Sequence, residues 1–87
     1  ISNSMLEAMG MGLPVVVTDC PVGGARMVIQ DGVNGLLVPV GDTKTMYEKM
    51  KSILASPELA KRISVEAIKV RDTFPLSKIA KRWIDIL

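Results

Sequence analysis

Ile1-Ser-Asn-Ser-Met-Leu-Glu7-Ala-Met-Gly-Met-Gly-Leu-Pro14 runs straight into Val15-Val-Val-Thr-Asp19. Ser4 to about Met11 reads as a short helix, with Ser4 as a candidate N-cap and Gly10 and Gly12 ending it. Pro14 then opens a strand, Val15 to Thr18. A continuous β-branched run of this kind suits a strand covered on both faces. A short helix feeding a doubly buried strand points to an α/β protein with a parallel sheet.

The rest of the chain extends the same pattern. Asp19 to Gly24 is a loop, and Arg26 to Gln30 forms a short helix with Met27, Val28 and Ile29 partly inside. Asp31-Gly and Asn34-Gly are two turn dipeptides. Gly35 to Val40 is the second strand. Asp42 caps a helix from about Thr43 to Ala55, whose buried face is marked by Met46, Met50, Ile53 and Leu54 at helical spacing. Ser56-Pro57-Glu58 starts the next helix, with a capping serine, a proline in the first turn and an acid near the positive helix end. It runs to about Arg71 and turns Leu59, Ile63, Ala67 and Val70 inward. Phe74-Pro75 breaks the chain. A last helix spans about Leu76 to Leu87, with Ile79, Trp83, Ile86 and Leu87 on one side. Two buried parallel strands do not make a sheet of ordinary size. They need neighbours, from an upstream half of the domain or from another copy of the chain.

The composition agrees. Of 87 residues 48% are hydrophobic, with one Phe, one Tyr and one Trp, so Val, Ile, Leu, Met and Ala supply the apolar mass. That is much apolar surface for so small a body. One cysteine excludes an internal disulfide and fits a reducing compartment. No apolar run nears the roughly 18 residues of a membrane span. The net charge of +2 is unevenly spread, with Arg26 the sole basic residue before Lys44. Solvated helix faces account for the later basic residues; attraction to an anionic membrane surface is the weaker reading. Scarce aromatics and the lack of a dense basic cluster argue against nucleic-acid binding. There is no P-loop and no Gly-x-Gly-x-x-Gly fingerprint.

Glu7 has two readings. Ser4-x-x-Glu7 fits a capping box, in which the two side chains satisfy each other's backbone N–H groups. The local pattern alone favours this. A carboxylate at a helix start also suits a nucleotide, because it can accept from both hydroxyls of a ribose. The backbone amides of Asn3 and Ser4 would then face the diphosphate. In the loop, Gly23 and Gly24 let the backbone approach a ligand, and with Arg26 they are candidates to line a cleft beyond the strand ends. A plain tight turn with Arg26 on the surface explains them equally well. Cys20, with no histidine anywhere in the chain, reads as a small residue at a strand end. The methionines read as core filler, and Trp83 as a packing anchor.

Residues 1–19 resemble the second half of the nucleotide-sugar motif of retaining glycosyltransferases of GT-B architecture, family 4. There a glutamate is followed by seven residues and a second glutamate, then Ala-Met-x-x-Gly-x-Pro-Val-Val. Glu7 stands at the second glutamate, and the first would lie two residues before Ile1. The resemblance extends over nearly all 87 residues. Gly23-Gly-Ala-Arg-Met-Val-Ile29 is similar to the family's Gly-Gly-Pro-Arg-Glu-Ile-Ile, with Met27 where glutamate is common. Gly10 stands where alanine is usual. Gly32 to Asp42 also matches and reads as structure: two turns, a strand and a cap.

The resemblance reverses the weighting of Glu7 toward the donor ribose. It implies that 1–87 is the C-terminal fragment of a donor-binding domain, half of a Rossmann-like fold that is incomplete as an isolated sheet. It implies transfer of a sugar from a nucleoside diphosphate sugar, UDP-linked, to a saccharide or lipid-linked acceptor, with retention. It further implies no cofactor and no metal, a cytoplasmic location with peripheral attachment to the inner membrane as an option, and similarity to bacterial capsular and surface-polysaccharide enzymes. The fragment alone is expected to be inactive and to self-associate. In the family the last helix often crosses back toward the N-terminal domain, which would put Trp83 at that junction. A GT-B nucleotide-sugar 2-epimerase is the alternative. A stand-alone α/β binding or signalling module ranks third, because Asp19 alone does not supply a receiver's acidic cluster.

Overall fold

The computed structural model describes residues 3–20 and 24–73. The expected helix over Leu76–Leu87, Trp83, and Gly23 lie outside them. In chain order the elements are α1 (Asn3–Gly10), β1 (Val16–Thr18), α2 (Ala25–Val28), β2 (Leu36–Val38), α3 (Thr43–Ala55), α4 (Pro57–Ala67) and α5 (Val70–Thr73). β1 and β2 pair in parallel, with Val16 opposite Leu36, Val17 opposite Leu37 and Thr18 opposite Val38. The α/β class and the two parallel strands with flanking helices are as the sequence predicts.

α1 ends in a Schellman turn. Leu13 N–H donates to the Ala8 carbonyl at 3.0 Å and Gly12 N–H to the Met9 carbonyl at 2.9 Å. Gly12 takes φ +77° there, a conformation costly for any residue with a Cβ. The reversal folds α1 back onto the strand that follows. Met5, Leu6 and Met9 share a buried cluster with Ala25, Ile29, Ala67 and Val70, and Val15, Val17 and Leu37 pack against it. α3 contacts both strands and lies on their other face, where Val16 lines a groove with Met50, Ile53 and Leu54. The sheet is therefore sandwiched, which explains why its strands read as apolar runs rather than alternating ones.

Caps set the later boundaries. The Asp42 carboxylate accepts from Thr45 N–H at 2.9 Å and from the Thr45 hydroxyl at 2.7 Å. Ser56 Oγ accepts from Leu59 N–H at 3.2 Å, with Pro57 in the first turn of α4. β2 stops short of Val40 because the chain turns there: Asp42 N–H reaches back to the Pro39 carbonyl at 3.2 Å around Gly41.

Three expectations need correction. The helix expected from Ser56 to Arg71 is broken between Ala67 and Val70. Lys69, Arg71 and Asp72 donate to carbonyls three residues back, so the coil tightens for one turn and still presents Ala67 and Val70 to the core. Met27 is not inside; it is 79% exposed, while Ile29 is buried. The expected buried face of α3 is open. Met46 and Ile53 are half-buried, but Met50 is exposed and Leu54 is 84% exposed. Among the described residues only two strands lie under α3, too narrow a floor to cover its whole apolar stripe.

Candidate functional site

α1 packs on the face of β1 that carries Val15 and Val17, and only residues 11–15 join the two elements. α1 also packs against α4 and α5. Asn3 and Ser4 open α1, where N–H groups lack intrahelical acceptors. Glu7 is its fifth residue and is half-buried. This corrects the capping-box reading. With the helix starting at Asn3, Ser4 sits inside it rather than at the cap, and the first turn holds no acid. Among the described residues no hydrogen bond or ion pair is made by the Glu7 carboxylate.

Asp19 follows β1, and α2 is the next element of the chain. Met5 of α1 and Ala25 of α2 share one apolar cluster. Gly24 precedes α2 with φ 72°, ψ 9°, a left-handed conformation that glycine adopts without strain. Arg26 grips Asp19 with both arms of its fork: Nε donates to Oδ1 at 3.0 Å and Nη2 to Oδ2 at 2.7 Å. These hydrogen bonds hold the Asp19 carboxyl below its ordinary range. Partial desolvation opposes the shift, and charge attraction to Arg26 adds to it. Arg26 is still 66% exposed, so the pair adds little net stability. Its effect is to tie the strand end to α2 across the glycine loop. The sequence reading placed Arg26 either in a cleft or on the surface and did not foresee the Asp19 partner.

Asp19 and Arg26 line an open groove of about 550 Å³ with Val38, Pro39 and Val40 at the end of β2, and with Asp31, Leu37 and Lys49 at its outer edge. Ligands of open α/β sheets bind beyond the carboxyl ends of the strands. Of the site residues predicted from the sequence, Arg26 lines this groove; Ser4, Glu7 and Gly24 are not among its lining residues. Cys20 is exposed. Among the described residues no group of His, Cys, Asp and Glu side chains could hold a metal ion, and no helix is long and apolar enough to cross a membrane.

The stretch from Gly32 to Asp42 holds a turn, β2 and the cap of α3. Asn34 Oδ1 accepts from Gln30 N–H at 2.7 Å and its amide donates to the Val28 carbonyl at 3.0 Å, tying the turn to α2.

The profile of the family described as glycosyl transferases group 1 matches residues 1–56, the span that contains Glu7, Gly24 and Arg26. The chain belongs to this family. As a group 1 glycosyltransferase sequence it is 29% identical over 86 residues to a Bacillus subtilis (strain 168) protein named as glycosyltransferase EpsD, covering 99% of this chain and 22% of that protein. It is 29% identical over 82 residues to an exopolysaccharide phosphotransferase of Streptomyces coelicolor, covering 94% of this chain and 9% of the other. It is 35% identical over 80 residues to an N-acetyl-alpha-D-glucosaminyl L-malate synthase of Bacillus anthracis, covering 91% of this chain and 20% of the other. The chain spans about a fifth or less of the length of these relatives.

Proposed function

We propose that residues 1–87 form the C-terminal part of the donor-binding domain of a retaining glycosyltransferase acting in polysaccharide assembly. The enzyme moves a sugar from a UDP-linked donor to a saccharide or lipid-linked acceptor on the cytoplasmic side. The observation that carries this reading is the family match over 1–56, which spans a helix that opens at Asn3 and carries Glu7, a carboxylate with no partner among the described residues. The names of relatives such as the exopolysaccharide phosphotransferase support the polysaccharide setting.

Each residue has a task. Glu7 accepts from the 2′ and 3′ hydroxyls of the donor ribose. The Asn3 and Ser4 amides, at the positive end of α1, receive the diphosphate. Gly23 and Gly24 let the loop approach the donor, and Arg26, held by Asp19, supplies positive charge at its edge. The leaving diphosphate is stabilised by fixed dipoles and basic side chains, and neither metal nor cofactor is assigned. Alone, the 87 residues hold one glutamate of the motif and no acceptor domain, so they do not transfer sugar.

The test is to incubate the intact enzyme with UDP-sugars and acceptor and to read UDP release and the anomeric configuration of the product by NMR. Retention is expected, with no transfer by the 87-residue chain alone. An inverted product, a donor that is epimerised rather than transferred, or transfer by the isolated chain would contradict the proposal.

A further inference from the structure

The two edges of the sheet are unlike. In a parallel ladder each residue turns both backbone groups to one side, and the next residue turns them to the other. Leu36 N–H donates to the Val15 carbonyl at 2.9 Å, and the Val38 carbonyl accepts from Asp19 N–H at 2.7 Å. Leu36 and Val38 thus face β1, and Leu37 faces outward. On that outer side both Leu37 groups are occupied by side chains. Its N–H donates to Asp31 Oδ1 at 2.9 Å. Its carbonyl accepts from Lys49 Nζ at 2.9 Å. The two side chains also bond each other, with Nζ 3.1 Å from Oδ1 and 3.0 Å from Oδ2.

This is a closed ring built from two elements. Asp31 is folded back along β2 by the 31–35 turn, where it bridges Gly35, and Lys49 reaches over from α3. A carboxylate offering an acceptor to the N–H and an ammonium offering a donor to the carbonyl supply what a neighbouring strand would. Among the described residues β1 has no such side-chain cover: Val16 and Thr18 turn outward and no side chain bonds their backbone, the Thr18 carbonyl alone being taken, by Cys20 N–H at 2.9 Å. Exposed strand edges template pairing with other chains.

We infer that Asp31 and Lys49 seal the outer edge of β2 against strand addition, so that the sheet accepts a new strand only along β1. In a solution of the pure chain the partner is a second copy. Two copies joined β1 to β1 expose only sealed edges, so assembly closes at a dimer.

Hydrogen exchange and sedimentation of the 87-residue chain test this. In the wild type the Leu37 amide is protected alongside those of Leu36 and Asp19, and no species exceeds a dimer. Asp31→Ala speeds exchange at Leu37 at least tenfold while Leu36 and Asp19 stay protected. Asp31→Asn keeps an acceptor and keeps Leu37 protected. Asp31→Ala with Lys49→Ala exposes a second edge and produces species larger than a dimer. Should the alanine variants lose all protection, Lys49→Met, which frees only the Leu37 carbonyl, decides by its sedimentation against wild type. Exchange at Leu37 unaffected by Asp31→Ala, wild-type assembly beyond a dimer, a folded edge variant with wild-type sedimentation, or no protection at Leu36 and Asp19 in the wild type would overturn the inference.

Discussion

Three carboxylates carry most of the defined polar geometry. Asp19 is held down in pKa first by the hydrogen bonds from Arg26. Asp31 is held down first by the backbone N–H of Leu37, with Lys49 adding hydrogen bonding and charge. Asp42 is held down by the hydroxyl and then the N–H of Thr45. Each folded-state pKa lies below the unfolded value of roughly 3.9. Between the two values the unfolded chain binds more protons, so the stabilisation is complete above the unfolded pKa and is lost as pH falls through the folded one. Thermal melts should therefore be flat from neutral pH down to about pH 5 and decline below about pH 4, with a shallower decline in Asp31→Asn. A melting temperature insensitive to acid would contradict these assignments. Ser56 is a simpler case: Ser56→Ala removes the acceptor for Leu59 N–H and should cost about 1 kcal/mol in urea unfolding.

Among the elements, α3 and α4 were the most legible in the sequence because side chains announce their starts: Asp42 and Ser56 are both caps in the structure. β1 and β2 were legible because an unbroken apolar run leaves little else for a chain to do. The break after Ala67 was not, since Ile68 and Lys69 are ordinary helix residues and the change is only a shift of hydrogen bonds by one residue. The exposure of Leu54 was also hidden: periodicity reports which face is apolar, not what covers it. The Asp19–Arg26 bridge, seven residues apart across a glycine loop, follows no period at all. Within α4, Ile63 is fully buried, and Ile63→Ala should cost about 2–5 kcal/mol by denaturant unfolding. Leu54→Lys, on the open face of α3, should change stability by no more than about 0.5 kcal/mol. A large loss at Leu54 would mean that α3 is covered after all.

At the scale of the whole molecule, one side of the sheet is left apolar. Pro14, Val16, Met50, Ile53 and Leu54 line a groove of about 280 Å³ beside the open edge of β1. The chain should therefore self-associate, and sedimentation at rising concentration should show dimers; a monomer at every concentration would contradict the open edge. The central claim concerns Glu7 of α1, inside the span that the family match covers. It is tested most directly by calorimetric titration of UDP into the intact enzyme, as wild type and as Glu7→Ala, with a melting curve for each. Because the Glu7 carboxylate has no partner among the described residues, the variant should melt as the wild type does. It should bind UDP at least tenfold more weakly, a loss of about 1.4 kcal/mol or more. UDP binding unchanged by the substitution, with a lower melting temperature, would make Glu7 a structural residue and contradict the account.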